Sequence, residues 1–99
     1  MNWRELYHPD VRKVDLPKIP KNLQARIRKA IELRLFRDPI LAGEPLRKSL
    51  KGYRKLRVGD YRVIYRIEKA DILIFIIGNR KEVYRKVLLR VGNKEIYEP

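Results

Sequence analysis

Between Lys51 and Lys69 the chain gathers seven cations, Lys51, Arg54, Lys55, Arg57, Arg62, Arg66 and Lys69, around a turn that holds one acid, Asp60. Arg and Lys at this density can grip phosphate oxygens. They can also hold the charge that builds on phosphorus when a neighbouring ribose 2′-OH attacks it. Lys acts as a base only where other cations make it shed its proton more readily, and Lys55, on one strand face with Arg57 and Arg62, has such surroundings. Arg is too basic to give up a proton with ease, so an acid role for Arg80 would be demanding chemistry. Tyr rings near such cations offer stacking surfaces for bases. Other chemistries lack their residues. There is no Cys and one His, His8, which precedes Pro9 without a Ser, Cys or second His at a catalytic spacing, so it reads as structural. Asp10, Asp15, Asp38, Asp60 and Asp71 are isolated and stand mostly at turns or caps, which is no metal-ligand pattern. The lone GD and GN pairs are turn chemistry rather than a phosphate-binding loop. A two-histidine or two-metal nuclease is therefore excluded, and neither a metal nor an organic cofactor is expected.

The elements that must carry these residues follow from periodicity. Tyr53 to Val58 and Tyr61 to Glu68 read as the strands of a hairpin turned at Gly59-Asp60. Alternation puts Tyr61, Val63, Tyr65 and Ile67 on one face with Leu56 and Val58, and leaves Tyr53, Lys55, Arg57, Arg62 and Arg66 together on the other. Arg57 and Arg66 also have a quieter reading, with stems laid on the sheet and heads paired to acids such as Glu68 and Glu82. Ile72 to Ile77 is an unbroken apolar run, suited to a central strand covered on both faces and ended by Gly78-Asn79. Arg80 then follows the last strand, and Tyr84 reaches the rim of the same face. Upstream, Trp3 to Tyr7 reads as a first strand, and Pro9 to Asp15 as one or two helical turns. Leu23, Ile27, Ala30, Ile31 and Leu35 mark a helix over 21–37 that stops at Asp38-Pro39. Residues 40–52 read as a connecting loop, Val83 to Val91 as a short C-terminal helix, and Gly92 to Pro99 as a polar tail anchored by Ile96 and Tyr97. The fold class is α+β: an N-terminal strand and helices packed on one face of a mainly antiparallel sheet, with a short C-terminal helix.

Composition narrows the partners. The 99 residues hold 25 Lys and Arg against 12 Asp and Glu, a net charge of +13. That excess points to a polyanion or an acidic protein, with a merely solvated basic surface as the alternative. Residues 1–99 read as one domain, with 91–99 as an extra tail. The start, MNWRELYHPD, has no apolar signal segment, and the longest apolar run is too short for a bilayer, so a cytoplasmic protein without a membrane partner is expected.

The run LKGYRKLRVGDYRVIY from Leu50 to Tyr65, followed by IGNRKEVY from Ile77 to Tyr84, resembles the RelE/ParE superfamily of bacterial and archaeal toxins, in its RelE-like branch. The Pro45-Leu46 pair and the helix ending at Asp38-Pro39 match as well, and the resemblance covers nearly all of residues 1–90. It implies the RelE-like microbial RNase fold and the toxin half of a type II toxin–antitoxin system. For RelE-type members it implies a metal-free, ribosome-dependent mRNA endonuclease that enters the ribosomal A site and halts translation. An acidic antitoxin encoded beside it would neutralise it in a heteromeric complex. By the same resemblance Lys55 is a base or charge stabiliser, Arg62 holds the scissile phosphate, Arg80 has a stabilising or acid role, and Tyr84 stacks on or orients the substrate. Tyr53, Arg54, Arg57 and Arg66 make up the wider RNA-binding set. Two positions depart from the pattern: Tyr53 stands where a second lysine is often found, with Arg54 or Lys51 as substitutes, and Asn79 stands where many relatives have His. They leave the proton relay open. Two alternatives remain, a ParE-like toxin that inhibits DNA gyrase without nuclease activity, and an inactive RNA-binding relative. The presence of Lys55, Arg62, Arg80 and Tyr84 together favours the RNase.

Overall fold

The most apolar segment of the chain becomes the middle of the sheet. In the computed structural model, which describes residues 2–91 and 97–99, the strands are β1 (Arg4–Tyr7), β2 (Glu44–Pro45), β3 (Arg54–Val58), β4 (Tyr61–Glu68) and β5 (Asp71–Asn79). They lie in the order β1-β5-β4-β3-β2. β1 runs parallel to β5, and the remaining neighbours are antiparallel. The helices are α1 (Lys21–Ala30), continued by a π-helical turn over Ile31–Leu35, the one-turn α2 (Pro39–Ala42), and α3 (Val83–Val91). Among the described residues no helix is long and apolar enough to cross a membrane.

β5 is flanked by β4 along its length and by β1 as far as Ile74, and helices cover both its faces. On one face α1 and its π turn bury Ile27, Ile31 and Leu35 against Leu56, Val63, Tyr65, Ile72, Ile74 and Ile77. On the other face α3 buries Val83 and Val87 against Ile64, Phe75 and Ile76. Strict alternation would not put Phe75 and Ile76 on the same side. It is broken by a register shift between Ile64 and Tyr65 against β5, where Tyr65 faces Ile74 and Ile64 faces Ile76. The extra residue is Phe75, a bulge that flips the parity of everything after it.

Several boundaries differ from the periodicity. The helix over 21–37 ends at Leu35, because Asp38 turns to cap α2 by accepting from the N–H groups of Ile40 and Leu41, both at 3.1 Å, with Pro39 at the first helical position. Residues 40–52 are not a plain loop: they hold part of α2, all of β2 and a 3₁₀ turn over Lys48–Leu50. Residues 11–18 form a π turn and then a 3₁₀ turn. β5 continues through Gly78 and Asn79, which face Arg62 and Tyr61. Gly78 is where α3 closes on the sheet, since a Cβ there would sit 3.3 Å from Val83 Cγ2. In the tail, Ile96 lies outside the described residues. Tyr97 packs against the α3-side core, and Glu98 pairs with Tyr7 through backbone bonds of 2.6 and 2.7 Å. His8 is buried, edge-on to both Phe75 and Tyr97, and its Nδ1 accepts the Asp10 N–H at 3.1 Å.

Candidate functional site

The hairpin register sets the site. Lys55 faces Ile64 and Arg57 faces Arg62, while on β5 Ile64 meets Ile76 and Arg62 meets Gly78. Lys55 therefore ends an apolar row, and Arg57 and Arg62 occupy the next row on the same face. Diagonal neighbours of this kind stand roughly 7–8 Å apart. The face is not open along its length, because α3 lies across it. α3 leaves the sheet over Gly78 and brings the Tyr84 ring to Lys55, whose Nζ is 5.9 Å from the ring centroid, within cation–π range.

Like charges directly opposed across strands repel, and the Arg57–Arg62 pair shows how the repulsion is offset. Arg57 Nη2 lies 3.6 Å from Glu44 Oε2. Arg62 turns the other way and donates from Nη1 to the carbonyls of Gly59 and Tyr61, both at 2.9 Å. Lys55 Nζ reaches the same Glu44 oxygen at 3.9 Å. Arg80, just past β5, is tied to the hairpin turn: its N–H donates to the Asp60 carbonyl at 2.8 Å, and its Nε is 3.7 Å from Asp60 Oδ1. Among the described residues none of these four cations holds a bidentate carboxylate. A bidentate pair does form elsewhere, where Arg4 grips Asp71 at 2.9 and 3.0 Å and keeps the Asp71 carboxyl below its ordinary range. Single, solvent-facing contacts such as those of Arg57 and Arg80 are worth little and are readily exchanged for a phosphate.

The other expected site residues are distributed differently. Tyr53 and Arg66 share the α3 face at the far end of the hairpin. The Arg66 guanidinium lies 5.6 Å from the Tyr53 ring centroid and donates to Glu68 at 2.8 Å, while Tyr53 packs on Phe75 at 5.1 Å. Arg66 thus has the acid partner of its quieter reading. Arg57 is paired with Glu44 rather than Glu82, which instead holds Lys86 at 3.1 Å. Arg54 is not brought to this face at all. It faces Tyr65 on the α1 side and donates to the Gly43 carbonyl at 2.9 Å and to that of Ile40. The Tyr65 hydroxyl donates to Pro39 O at 2.6 Å, so Arg54 and Tyr65 together tie α2 to the sheet. Burial pushes the Tyr65 phenol up from its ordinary value, opposed by Arg54.

Two features escaped the sequence reading. Glu44 sits opposite Lys55 because β2 pairs with β3, a register that a two-residue strand inside the Gly- and Pro-containing run over 40–52 does not signal. Asp15, read as an isolated acid, is buried and forked by Arg90 at 2.8 and 2.9 Å across 75 positions of chain, a separation that no local pattern marks. Among the described residues no cluster of three or more His, Cys, Asp or Glu could hold a metal ion.

A family model described as the ParE toxin of type II toxin–antitoxin system, parDE, matches residues 6–84. The chain is 35% identical over 74 residues to Toxin RelG of Mycobacterium tuberculosis, covering 73% of this chain and 85% of the relative. It is 34% identical over 73 residues to Toxin RelE of the same organism, covering 72% and 75%. Among solved structures, the toxin–antitoxin complex RelBE2 from Mycobacterium tuberculosis is similar with a TM-score of 0.74 at 29% identity, covering 81% of this chain and 100% of that one. The archaeal RelE–RelB complex from Pyrococcus horikoshii is similar with a TM-score of 0.62 at 26% identity, covering 81% and 97%. The matched family segment includes Lys55, Arg62, Arg80 and Tyr84 and stops short of Arg90.

Proposed function

The chain belongs to the RelE/ParE family of toxins of type II toxin–antitoxin systems, and from that premise we propose that it is a metal-free endoribonuclease that cuts mRNA on the ribosome and so halts translation. One observation carries the reading: Lys55 and Tyr84 meet on the face that also carries Arg62, with Arg80 at its rim, and among the described residues the polar partners of these cations are carbonyls or single carboxylate oxygens. In the reaction the ribose 2′-oxygen bonds to phosphorus as the bond from phosphorus to the 5′-oxygen breaks. The products are a cyclic phosphate and a 5′-hydroxyl, and the proton lost by one oxygen balances the proton gained by the other. Arg62 and Arg80 hold the phosphoryl oxygens as their charge grows. Lys55 adds a third positive charge, and the Tyr84 ring fixes a base beside it. Arg57, Arg66 and Tyr53 extend the RNA-binding surface. The protein acts in the cytoplasm, where translating ribosomes are.

The test is primer extension on a message with and without ribosomes. Cleavage that needs the ribosome supports the proposal. Full toxicity retained by Lys55→Ala, Arg62→Ala and Arg80→Ala alike overturns it. A second reading is gyrase inhibition, favoured because the matched family model is that of ParE; it predicts loss of DNA supercoiling activity with no cut message. Under either reading the partner is an acidic antitoxin, as the +13 charge suggests, associating fast at low salt and more slowly as salt rises.

A further inference from the structure

β1 pairs with β5 only as far as Tyr7 and Ile74, and a last backbone bond runs from His8 N to Ile74 O at 2.8 Å. Beyond that point, among the described residues, the edge of β5 meets side chains instead of a strand. Asp15 Oδ2 accepts the Ile77 N–H at 3.0 Å, and Arg90 Nη1 donates to Phe75 O at 3.0 Å. The two side chains fork each other at 2.8 and 2.9 Å and are 6% and 9% exposed. An ion pair thus stands in for the missing strand.

The same pair is one of very few anchors for α3. The helix has 9 residues, too few to be stable alone. Its buried apolar side chains are Val83 and Val87, while Leu88, Leu89 and Val91 face outward. Val83 on Gly78 pins the first turn, and Arg90 pins the last. A buried ion pair adds little net stability compared with an apolar replacement. What a planar fork does supply is direction. By fixing the rotation of α3 about its axis, it fixes where a side chain six positions back must point. That side chain is Tyr84.

We propose that the Asp15–Arg90 pair, locked to the edge of β5, is the positioning device for Tyr84: it sets the rotation of α3 that holds the ring over Lys55. The inference rests on Tyr84 belonging to the active face.

The functional test is a double-mutant cycle on cleavage of ribosome-bound message. Arg90→Lys keeps the charge but loses the fork, and it should lower cleavage by roughly ten- to a hundredfold. In a Tyr84→Ala background it should cost almost nothing further. An equal loss in both backgrounds marks a general structural effect and overturns the proposal. Amide exchange on the wild-type protein gives a second readout that needs neither activity nor a foldable variant. The Ile77 amide should exchange through the same opening as the amides of Val87 and Leu88, with protection matched to within roughly threefold. In folded Arg90→Lys these should all fall by about tenfold or more while Val63 in the sheet keeps its protection. Independent exchange of Ile77 and α3, or an equal fall in helix and sheet, overturns the proposal. If the wild-type protein cuts no message under any condition, the RNase reading fails and the exchange data alone decide this one.

Discussion

Arg90 and Arg62 are the same side chain put to opposite uses. Arg90 is buried, and its fork is filled by Asp15 and the Phe75 carbonyl. Arg62 lies on a partly exposed strand face opposite another arginine and, among the described residues, donates only to the carbonyls of Gly59 and Tyr61. The first arrangement leaves nothing to offer a ligand. The second holds a guanidinium in place by neutral acceptors and leaves its charge uncompensated. Burial with a full complement of partners makes a cation structural, whereas placement without a counter-charge makes it available. The net charge says how many cations a chain has, and this distinction says which of them can work.

Two substitutions test that contrast directly. Asp15→Ala leaves Arg90 buried without its bidentate partner, with Asp10 4.0 Å from its Nε as the remaining acid among the described residues, and the Ile77 N–H without its acceptor. It should destabilise the fold by about 3–5 kcal/mol, read from urea unfolding; a loss below about 1 kcal/mol would show that water reaches the pair and would erase the contrast. Arg62→Ala should do the reverse. Its stability change should stay within about 0.5 kcal/mol, while cleavage of ribosome-bound message falls by roughly two to three orders of magnitude. Strong destabilisation by Arg62→Ala would make it a second structural arginine.

The two regions also differ in how far the sequence revealed them. Alternation along Tyr61 to Ile67 put Arg62 on the face away from the α1-side core, and the hairpin brought Arg57 opposite it. The short C-terminal helix expected over Val83 to Val91 is α3. These are local signals, carried by neighbours on one element. The Asp15–Arg90 pair joins opposite ends of the chain, and it exists only because β1 runs parallel to β5 and then stops. Nothing in RELY specifies a parallel partner. The bulge at Phe75 was equally hidden, because a run of uniformly apolar residues has no polar member to betray its parity. Arg54 stands in the expected RNA-binding set although alternation leaves it off the face of Lys55, Arg57 and Arg62, and it lies on the α1 side, where it ties α2 to the sheet.

Glu44 lies between these extremes, as the one acid among the described residues within 4.0 Å of both Lys55 and Arg57. If it merely occupies the site until a phosphate arrives, Glu44→Gln should tighten RNA binding by roughly two- to fivefold, the scale of an exposed ion pair, in a filter-binding titration at fixed salt. Weaker binding in the variant would mean that Glu44 orients the two cations, and that the face depends on its acid as Arg90 depends on Asp15.

The smallest expected effect concerns an acid with no such partner. Glu5, on β1, is partly buried, and that burial pushes its carboxyl above the ordinary range; Arg12 opposes the shift and Glu32 adds to it. Asp15 is more deeply buried but forked by Arg90, so the two acids separate burial from pairing. The sign for Glu5 follows from proton counting. Between the ordinary glutamate value near 4.3 and its raised folded value, the native state binds more protons than the unfolded chain. Its contribution is therefore favourable below that window, declines as pH rises through it, and is lost above. Asp71 and Glu82, whose carboxyls are held down by Arg4 and Lys86, act in the opposite sense, so only the difference between variant and wild type isolates Glu5. Glu5→Gln keeps the shape without the charge. Urea midpoints taken from pH 4 to pH 7 should show the variant gaining on the wild type as pH rises, and ahead of it at pH 7. A variant that falls behind at pH 7 would mean that Arg12 pairs with Glu5 strongly enough to outweigh its burial.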